Sequence, residues 1–421
     1  MINTANQVRA SHRSDKNNVL LRIAILYVVQ GVPLGLGFEA VPTLLREAGT
    51  SLSILAWAPM VGIPWVLKLL WATAVDNYWS QKLGKRRTWI LPSQLLLMIG
   101  FVCLAFVPFI PDNATLIIVI VGVLSVAGAT QDIATDGYAA EILPPENMGL
   151  ANSFQVGGMA IGLLIGGAGV MIASSLMSTN TALLLLACLV SLSCLTMLRW
   201  KDRSGDYDRI NNRAKLTRFL SRPSAISVLS LGLVATLTGV VLQSLWRLVL
   251  VDLNWDTAKI GSYSALMNTG AMMLAAMLAV PLMKNFGVKN TGISGMLLTI
   301  FAGILWMLIA TMVINPEWYV IGTLIGVGSI GTGLASVVVF AVIMRFAKEG
   351  DQAGTDFTIF QSSHVFGAIL LPSVAIGISS QLGYSAGFGF GIAISMLSVA
   401  TFILIDQRIL DVGQTEPEDE N

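Results

Sequence analysis

The fold is decided by the one long polar stretch in an otherwise apolar chain, residues 199–222, which reads RWKDRSGDYDRINNRAKLTRFLSR. On both sides of it, apolar runs of about 20 residues recur, each long enough to cross a bilayer as a helix. Only 12% of the 421 residues are charged, whereas 55% are hydrophobic. A soluble protein needs roughly twice that charge to cover its surface. The sequence therefore predicts an all-α membrane protein divided in two at this stretch.

Apolar windows predict twelve transmembrane helices, six in each half. The spans are expected near 19–41, 52–75, 89–109, 115–136, 149–173, 181–199, 224–251, 259–283, 291–313, 318–344, 355–379 and 385–406. The corresponding domains are an N-terminal tail (1–18), a six-helix bundle (19–199), a linker (200–223), a second six-helix bundle (224–406) and an acidic C-terminal tail (407–421). The motif VGVLSVAG, from residue 121, resembles IGVGSIGT, from residue 325. The offset of 204 residues between the two motifs predicts two pseudo-symmetric copies of one bundle.

The positive charges predict the orientation of the chain. Arg46 and Lys259 fall on one side of the predicted membrane, and Lys68 and Arg247 fall within spans. All the other Lys and Arg residues, out of 25, collect on the opposite side, which the positive-inside rule assigns to the cytoplasm. Both termini are therefore expected in the cytoplasm. With a net charge of only +1, no nucleic-acid partner is expected.

Polar side chains inside the spans are the candidate functional residues. An ionisable side chain near the bilayer centre costs about 2.5–3.5 kcal/mol, so it should face protein or water. Stripes of such residues predict a water-accessible cavity shared by the two halves, in which a substrate binds. The expected substrate-binding residues are Gln30, Gln155, Gln243, Trp246, Arg247, Gln361 and His364.

Three protonatable residues, Glu39, Asp132 and His364, are the candidates for proton coupling. Glu39 and Arg247 lie near corresponding ends of the first and seventh spans, and we expect them to pair and close the outer side in one state. Lys68 is a further gating candidate. A structural interpretation also fits: the glutamines could bond across helix pairs, Lys68 and Arg247 could form structural ion pairs or snorkel to the interface, and Asp136 could be solvated or cap a helix.

Glycine patterns predict two local features. Gly158, Gly162 and Gly166 recur at intervals of four, and they are expected to form a sliding contact with small residues of the eighth span. Pro33 and its neighbouring glycines in QGVPLGLGFEAVP (30–42) predict local unwinding of the first span. The sequence has no Walker A motif, no His/Glu metal pair and no cysteine cluster, so we expect no cofactor, no bound metal and no enzymatic activity.

Two stretches carry a resemblance to known transporters. The six-plus-six pattern and AVDNYWSQKLGKRRTW (74–89) resemble the major facilitator superfamily and its signature between the second and third spans. That resemblance implies a gating role for Asp76 through contact with the start of the eleventh span. The stretch ATQDIATDGYAAEILPPENMGLANSFQ (129–155) is similar to the branch that holds AmpG-type muropeptide permeases and acetyl-CoA transporters.

Within that branch, residues 27–72 and GTDFTIFQSSHVFG (354–367) look most like bacterial inner-membrane siderophore permeases of the rhizobactin and pyochelin type. The resemblance implies a monomeric, proton-driven importer of a ferric siderophore across the inner membrane by alternating access. Muropeptides or another bulky solute are the alternative substrates. A transporter-like sensor or accessory protein that reports through the central loop or the acidic tail is the alternative of another class.

Overall fold

The chain is almost entirely helical wherever its structure is described. The computed structural model describes residues 2–142, 148–198, 225–226, 229–230, 237–348 and 353–404. The predicted linker (200–223) and acidic tail (407–421) lie outside these residues. Within them, ten helices are long and apolar enough to cross a membrane, and Leu52–Leu67 with Leu70–Asn77 would form an eleventh, bent span. The predicted all-α membrane fold is confirmed, whereas part of the seventh predicted span lies outside the described residues.

Two compact units divide the chain. One contains Met1–Ala48 and Val61–Ile210, and the other contains Gly49–Met60 and Asn211–Asn421. In the first part of the chain, the α-helices are α1 (Ile2–Gly35), α2 (Val41–Glu47), α3 (Leu52–Leu55), α4 (Ile63–Leu67), α5 (Leu69–Asn77), α6 (Arg87–Ala105), α7 (Ala114–Ile142), α8 (Met148–Leu164), α9 (Val170–Leu176) and α10 (Thr179–Leu198). The remainder holds α11 (Leu237–Asp252), α12 (Thr257–Tyr263), α13 (Ala271–Phe286), α14 (Val288–Ala310), α15 (Trp318–Lys348), α16 (Ala353–Leu382) and α17 (Tyr384–Leu404).

Each unit has its own apolar core. In the first unit, buried side chains of α1, α5, α6, α7 and α10 pack together, including Ile23, Ile90 and Tyr138. In the second unit, α14, α15, α16 and α17 enclose a core that includes Met296, Phe360 and Phe402. Large apolar side chains such as Leu95 and Leu185 remain exposed on helix surfaces, as lipid-facing residues do.

The glycine stripe of α8 packs against α1 of the same unit. A Cβ atom at Gly162 would overlap the carbonyl oxygen of Val28, and one at Gly166 would overlap that of Val32. Small residues of the eighth predicted span are used elsewhere, since Ala275 packs against Gly333 of α15. The prediction that the stripe contacts the eighth span was wrong. The glycines instead allow two backbones of one bundle to approach closely.

The first span widens and does not unwind. Pro33 lies inside α1, and the helix continues through a π-helical segment, Leu36–Ala40, into α2. A second π-helical segment, Ile165–Gly169, follows α8, and a third, Ser264–Gly270, joins α12 to α13. The predicted unwinding was wrong, because the wider turn accommodates the local strain while the helical hydrogen bonding continues. Such π-helical turns occur frequently at functional sites.

Candidate functional site

A buried carboxylate, Asp132, lies at the centre of the polar residues of the first unit. Its Oδ1 accepts a hydrogen bond from Gln30 Nε2 at 2.7 Å, and its Oδ2 forms an ion pair with Lys68 Nζ at 2.5 Å. The Asp132 side chain is 3% exposed and that of Lys68 is 19% exposed. Lys68 therefore does not snorkel to the interface: its ammonium group is turned inward and neutralises a charge inside the span.

A second carboxylate, Asp136, lies one turn further along α7. Its Oδ1 accepts hydrogen bonds from the Tyr27 hydroxyl at 2.8 Å and from Gln155 Nε2 at 3.0 Å. The capping role considered for Asp136 is therefore wrong, since its partners are side chains of α1 and α8. We call these six residues the carboxylate cluster: Tyr27, Gln30, Lys68, Asp132, Asp136 and Gln155.

Helical spacing explains how the cluster forms. Tyr27 and Gln30 are three residues apart on α1, and Asp132 and Asp136 are four apart on α7, so each pair occupies one helix face. Lys68 lies at the interruption between α4 and α5, where its side chain can reach the middle of α7. Three polar atoms nearby are buried without a hydrogen-bond partner among the described residues: Gln30 Oε1, Gln131 Oε1 and Trp65 Nε1. Buried orphaned polar atoms are rare, and here they lie beside a charged site.

Glu39 lies within the π-helical segment of the first span, apart from the carboxylate cluster. Its carboxylate packs against Gly167, and a Cβ atom there would come within 2.6 Å of Glu39 Oε2. Gly167 belongs to the π-helical segment that follows α8. The predicted pairing of Glu39 with Arg247 joins two units that are described separately, and it stays a prediction.

In the second unit, Arg247 is 4% exposed and held at the centre of a polar group. Its Nη1 donates to the Gln243 carbonyl oxygen at 2.6 Å and its Nη2 to Ser264 Oγ at 3.0 Å. The guanidinium carbon lies 4.7 Å from the centre of the Trp246 ring, which is a cation–π distance. Ser264 begins the π-helical segment between α12 and α13, so a feature that the sequence did not reveal positions this arginine.

A small pocket adjoins this arginine. It is lined by residues of α11, α14 and α15, among them Gln243, Trp246 and Ser329. The rings of Trp246 and Trp306 stack with centroids 6.4 Å apart, and Trp306 stacks in turn on Phe388 at 5.9 Å. Ser329 donates to Oδ1 of the buried Asn268 at 2.7 Å. The pocket combines aromatic faces with amide and hydroxyl groups.

The two predicted site residues of α16 have different surroundings. Gln361 is exposed, whereas the ring of His364 stacks on Phe360 at 6.3 Å and meets Phe340 edge-on at 5.6 Å. Phe360 belongs to the core of the second unit. His364 thus lies at the margin of an aromatic cluster, where its imidazole also has a packing role.

A separate charged cluster ties together α5, α6 and α7. The buried Arg86 donates to Asp76 Oδ1 at 2.7 Å and to both carboxylate oxygens of Glu141, at 2.6 and 3.0 Å, and Lys85 bonds the same Glu141 at 2.6 Å. Burial disfavours the charge of Arg86, but the bonds to Glu141 and Asp76 outweigh burial and raise its pKa. Asp76 is thus anchored within its own unit, and its predicted contact with the eleventh span stays a prediction.

Comparison with known proteins agrees with this architecture. A family model described as acetyl-coenzyme A transporter 1 matches residues 19–180. The anhydromuropeptide permease of Escherichia coli K12 is 22% identical over 401 residues, which cover 92% of this chain and 79% of the permease. An uncharacterized membrane protein of Saccharomyces cerevisiae is 35% identical over 164 residues, 33% of this chain. The match spans only 29% of that yeast protein.

Among solved structures, a D-xylose–proton symporter superposes with a TM-score of 0.69 at 12% identity, covering 91% of this chain and 96% of the symporter. The chain has the major facilitator fold. The family model and the Escherichia coli permease also support the predicted resemblance to AmpG-like proteins of the major facilitator type.

Several residues of the site were not expected from the sequence. Tyr27, Ser264, Asn268 and Glu141 each bond a residue of the polar groups described above. Tyr27 is three residues before Gln30, so helical spacing alone could have revealed it. Ser264 and Asn268 could not be found this way, because a π-helical turn shifts the face on which each side chain emerges.

Proposed function

We propose that this protein is a proton-coupled secondary transporter of a bulky polar solute, working by alternating access in the bacterial inner membrane with both termini in the cytoplasm. The observation that carries the proposal is the carboxylate cluster, in which Asp132 pairs with Lys68 and a second aspartate, Asp136, lies one turn away with only neutral hydrogen-bond donors, inside the membrane-spanning part of the first unit. Ionisable groups at this depth are costly, and they are retained where they move ions or bind substrate.

The second unit supports the solute-binding half of the proposal. Arg247 offers a cation beside the Trp246 ring and the Gln243 backbone carbonyl, and Gln243 and Trp246 also line the adjoining pocket. These groups suit an anionic or hydroxyl-rich solute with flat parts. Gln30, Gln155, Gln361 and His364 remain proposed contributors to solute binding.

Two solutes are candidates. A ferric siderophore follows from the sequence resemblance of residues 27–72 and 354–367, and the carboxylate and aromatic arms of such chelates match Arg247 and Trp246. An anhydromuropeptide follows from the likeness to the Escherichia coli anhydromuropeptide permease, which extends over 92% of the chain. Both are bulky and polar, so the same side chains would serve either.

Uptake into proteoliposomes tests the proposal. We expect an imposed inward proton gradient to drive accumulation of one of two probes, a radio-iron-labelled siderophore complex or a labelled anhydromuropeptide. Collapse of the gradient with a protonophore should remove accumulation but leave exchange. Binding of a probe without any flux would instead favour a sensor. If neither probe binds and neither is transported, both substrates are rejected.

A further inference from the structure

We infer that the transported proton is carried by Asp136, on its Oδ2 atom, while Asp132 stays ionised as the fixed partner of Lys68. The inference deepens the proposed function, because it names the proton site of the proposed transporter. It differs from the sequence-based expectation, which assigned coupling to Glu39, Asp132 and His364 and treated Asp136 as a solvated or capping residue.

The distribution of hydrogen-bond donors separates the two carboxylates. Both oxygens of Asp132 are occupied, one by the Gln30 amide and the other by the Lys68 ammonium group. A carboxylate in contact with a cation and an amide N–H is held in its charged form. Protonation of Asp132 would therefore remove the negative charge that pairs with Lys68.

Asp136 has the opposite arrangement. Both of its donors, the Tyr27 hydroxyl and the Gln155 amide, converge on Oδ1. Oδ2 has no hydrogen-bond partner among the described residues, and the carboxyl forms no ion pair with any of them. Oδ2 is thus the open position of the cluster. The Asp136 side chain is partly exposed, whereas Asp132 is buried.

The charges around Asp136 favour a single exchangeable proton. With both aspartates ionised, the cluster contains two negative charges and the one positive charge of Lys68. Among the described residues, the other charged group nearby is Arg86, whose guanidinium packs against Gly137 but is bonded to Asp76 and Glu141. Within that same part of the chain, the remaining groups that face Asp136 are Tyr27 and Gln155, which are neutral donors. One proton on Asp136 makes the cluster neutral, and its loss restores one negative charge.

The step itself is a simple protonation. Asp136 takes one proton at Oδ2 from the outer aqueous phase, forming a carboxylic acid, and later releases the same proton to the inner phase. The neutral acid keeps its Oδ1 bonds to Tyr27 and Gln155, so the cluster can change charge without losing its hydrogen bonds. Lys68 and Asp132 remain paired throughout and fix the position of α7 beside the second span.

Infrared difference spectroscopy of the purified full-length protein in nanodiscs tests the assignment without any substrate. We expect the C=O stretching band of a protonated carboxylic acid to appear as the pH is lowered. The band should be absent in Asp136→Asn, retained in Asp132→Asn combined with Lys68→Met, and displaced in frequency in Tyr27→Phe, which removes one donor from Oδ1. Asp112→Asn, an exposed site before the same helix, is the matched control and should leave the band unchanged.

Persistence of the band in Asp136→Asn, or its loss only when Asp132 is replaced, would overturn the assignment, as would the absence of any titrating carboxyl band in the folded protein. Asp136→Glu keeps a carboxyl group at the site and is the folding control. A titrating band in this variant shows that the loss of the band in Asp136→Asn does not result from misfolding. If the band behaves as expected but no solute is transported, the proposed function fails while the proton site stands.

Discussion

The polar groups of the two units differ in charge and in construction. The carboxylate cluster of the first unit contains two carboxylates, a lysine and neutral donors, held by α1, α7, α8 and the interruption between α4 and α5. The second contains a buried arginine whose contacts include a carbonyl, a hydroxyl and an indole ring. The two units thus hold polar groups of opposite charge. We interpret the first as suited to a proton and the second to an anionic part of a solute.

The largest expected effect is the loss of stability when the Lys68–Asp132 ion pair of the first unit is broken. Asp132→Asn leaves Lys68 without its carboxylate inside a span, and removing one partner of a buried pair costs about 3–5 kcal/mol. We expect a large loss of thermal stability in detergent. Lys68→Met combined with Asp132→Asn should recover most of it, because no buried charge is left unpaired. Equal instability of the single and double variants would show that the pair does not act as a unit.

The second unit is tested by Arg247→Lys and Arg247→Gln. Lysine keeps the charge but cannot bond the Gln243 carbonyl and the Ser264 hydroxyl with one planar fork. Loss of a hydrogen bond between the arginine and the solute would cost about 1.5–3 kcal/mol, or roughly 10–100-fold in solute affinity. Equilibrium binding of the transported probe measures this effect. Unchanged affinity in both variants would remove Arg247 from the binding site.

Close helix contact in the first unit gives a third test. Gly162→Ala would force α8 away from the α1 carbonyl of Val28 and displace Gln155 relative to Asp136. Overpacking of this kind costs about 1–3 kcal/mol. Gly157→Ala is the control, since nothing lies within 4 Å of a Cβ atom there. If both variants melt at the wild-type temperature, the close approach of the two helices is not required.

The smallest effect is expected in α16. His364→Phe keeps an aromatic ring against Phe360 and Phe340 and removes only the titratable nitrogens. If coupling belongs to the first unit, the ratio of gradient-driven accumulation to exchange should remain at the wild-type value, and stability should change by less than about 0.5 kcal/mol. A reduced ratio would return His364 to the coupling site that the sequence suggested.

Much of the fold could be predicted from the sequence, because helices that cross a bilayer must be long and apolar, and such segments are visible in the amino-acid sequence. Apolar runs and the polar stretch at 199–222 lead directly to helices in two halves. Helical spacing also singled out three polar residues that the structure brings together: Gln30, Asp132 and Gln155 all belong to the carboxylate cluster.

Partner choice could not be predicted in the same way. Helical spacing fixes the face of a residue but not the helix that meets it, so the glycines of α8 were assigned to the wrong neighbour. The three π-helical segments were also hidden, since a single extra residue in a turn leaves little trace in an apolar pattern. The site of Lys68 depended on the interruption between α4 and α5, which hydropathy does not resolve.

The central claim, that protons are coupled to solute through the carboxylate cluster, is tested most directly by comparing two fluxes in proteoliposomes of one Asp136→Asn preparation. Solute exchange at equal internal and external concentration should continue at a rate close to that of the wild type, while a proton gradient should no longer produce any accumulation. Accumulation that persists at the wild-type level in this variant would contradict the claim.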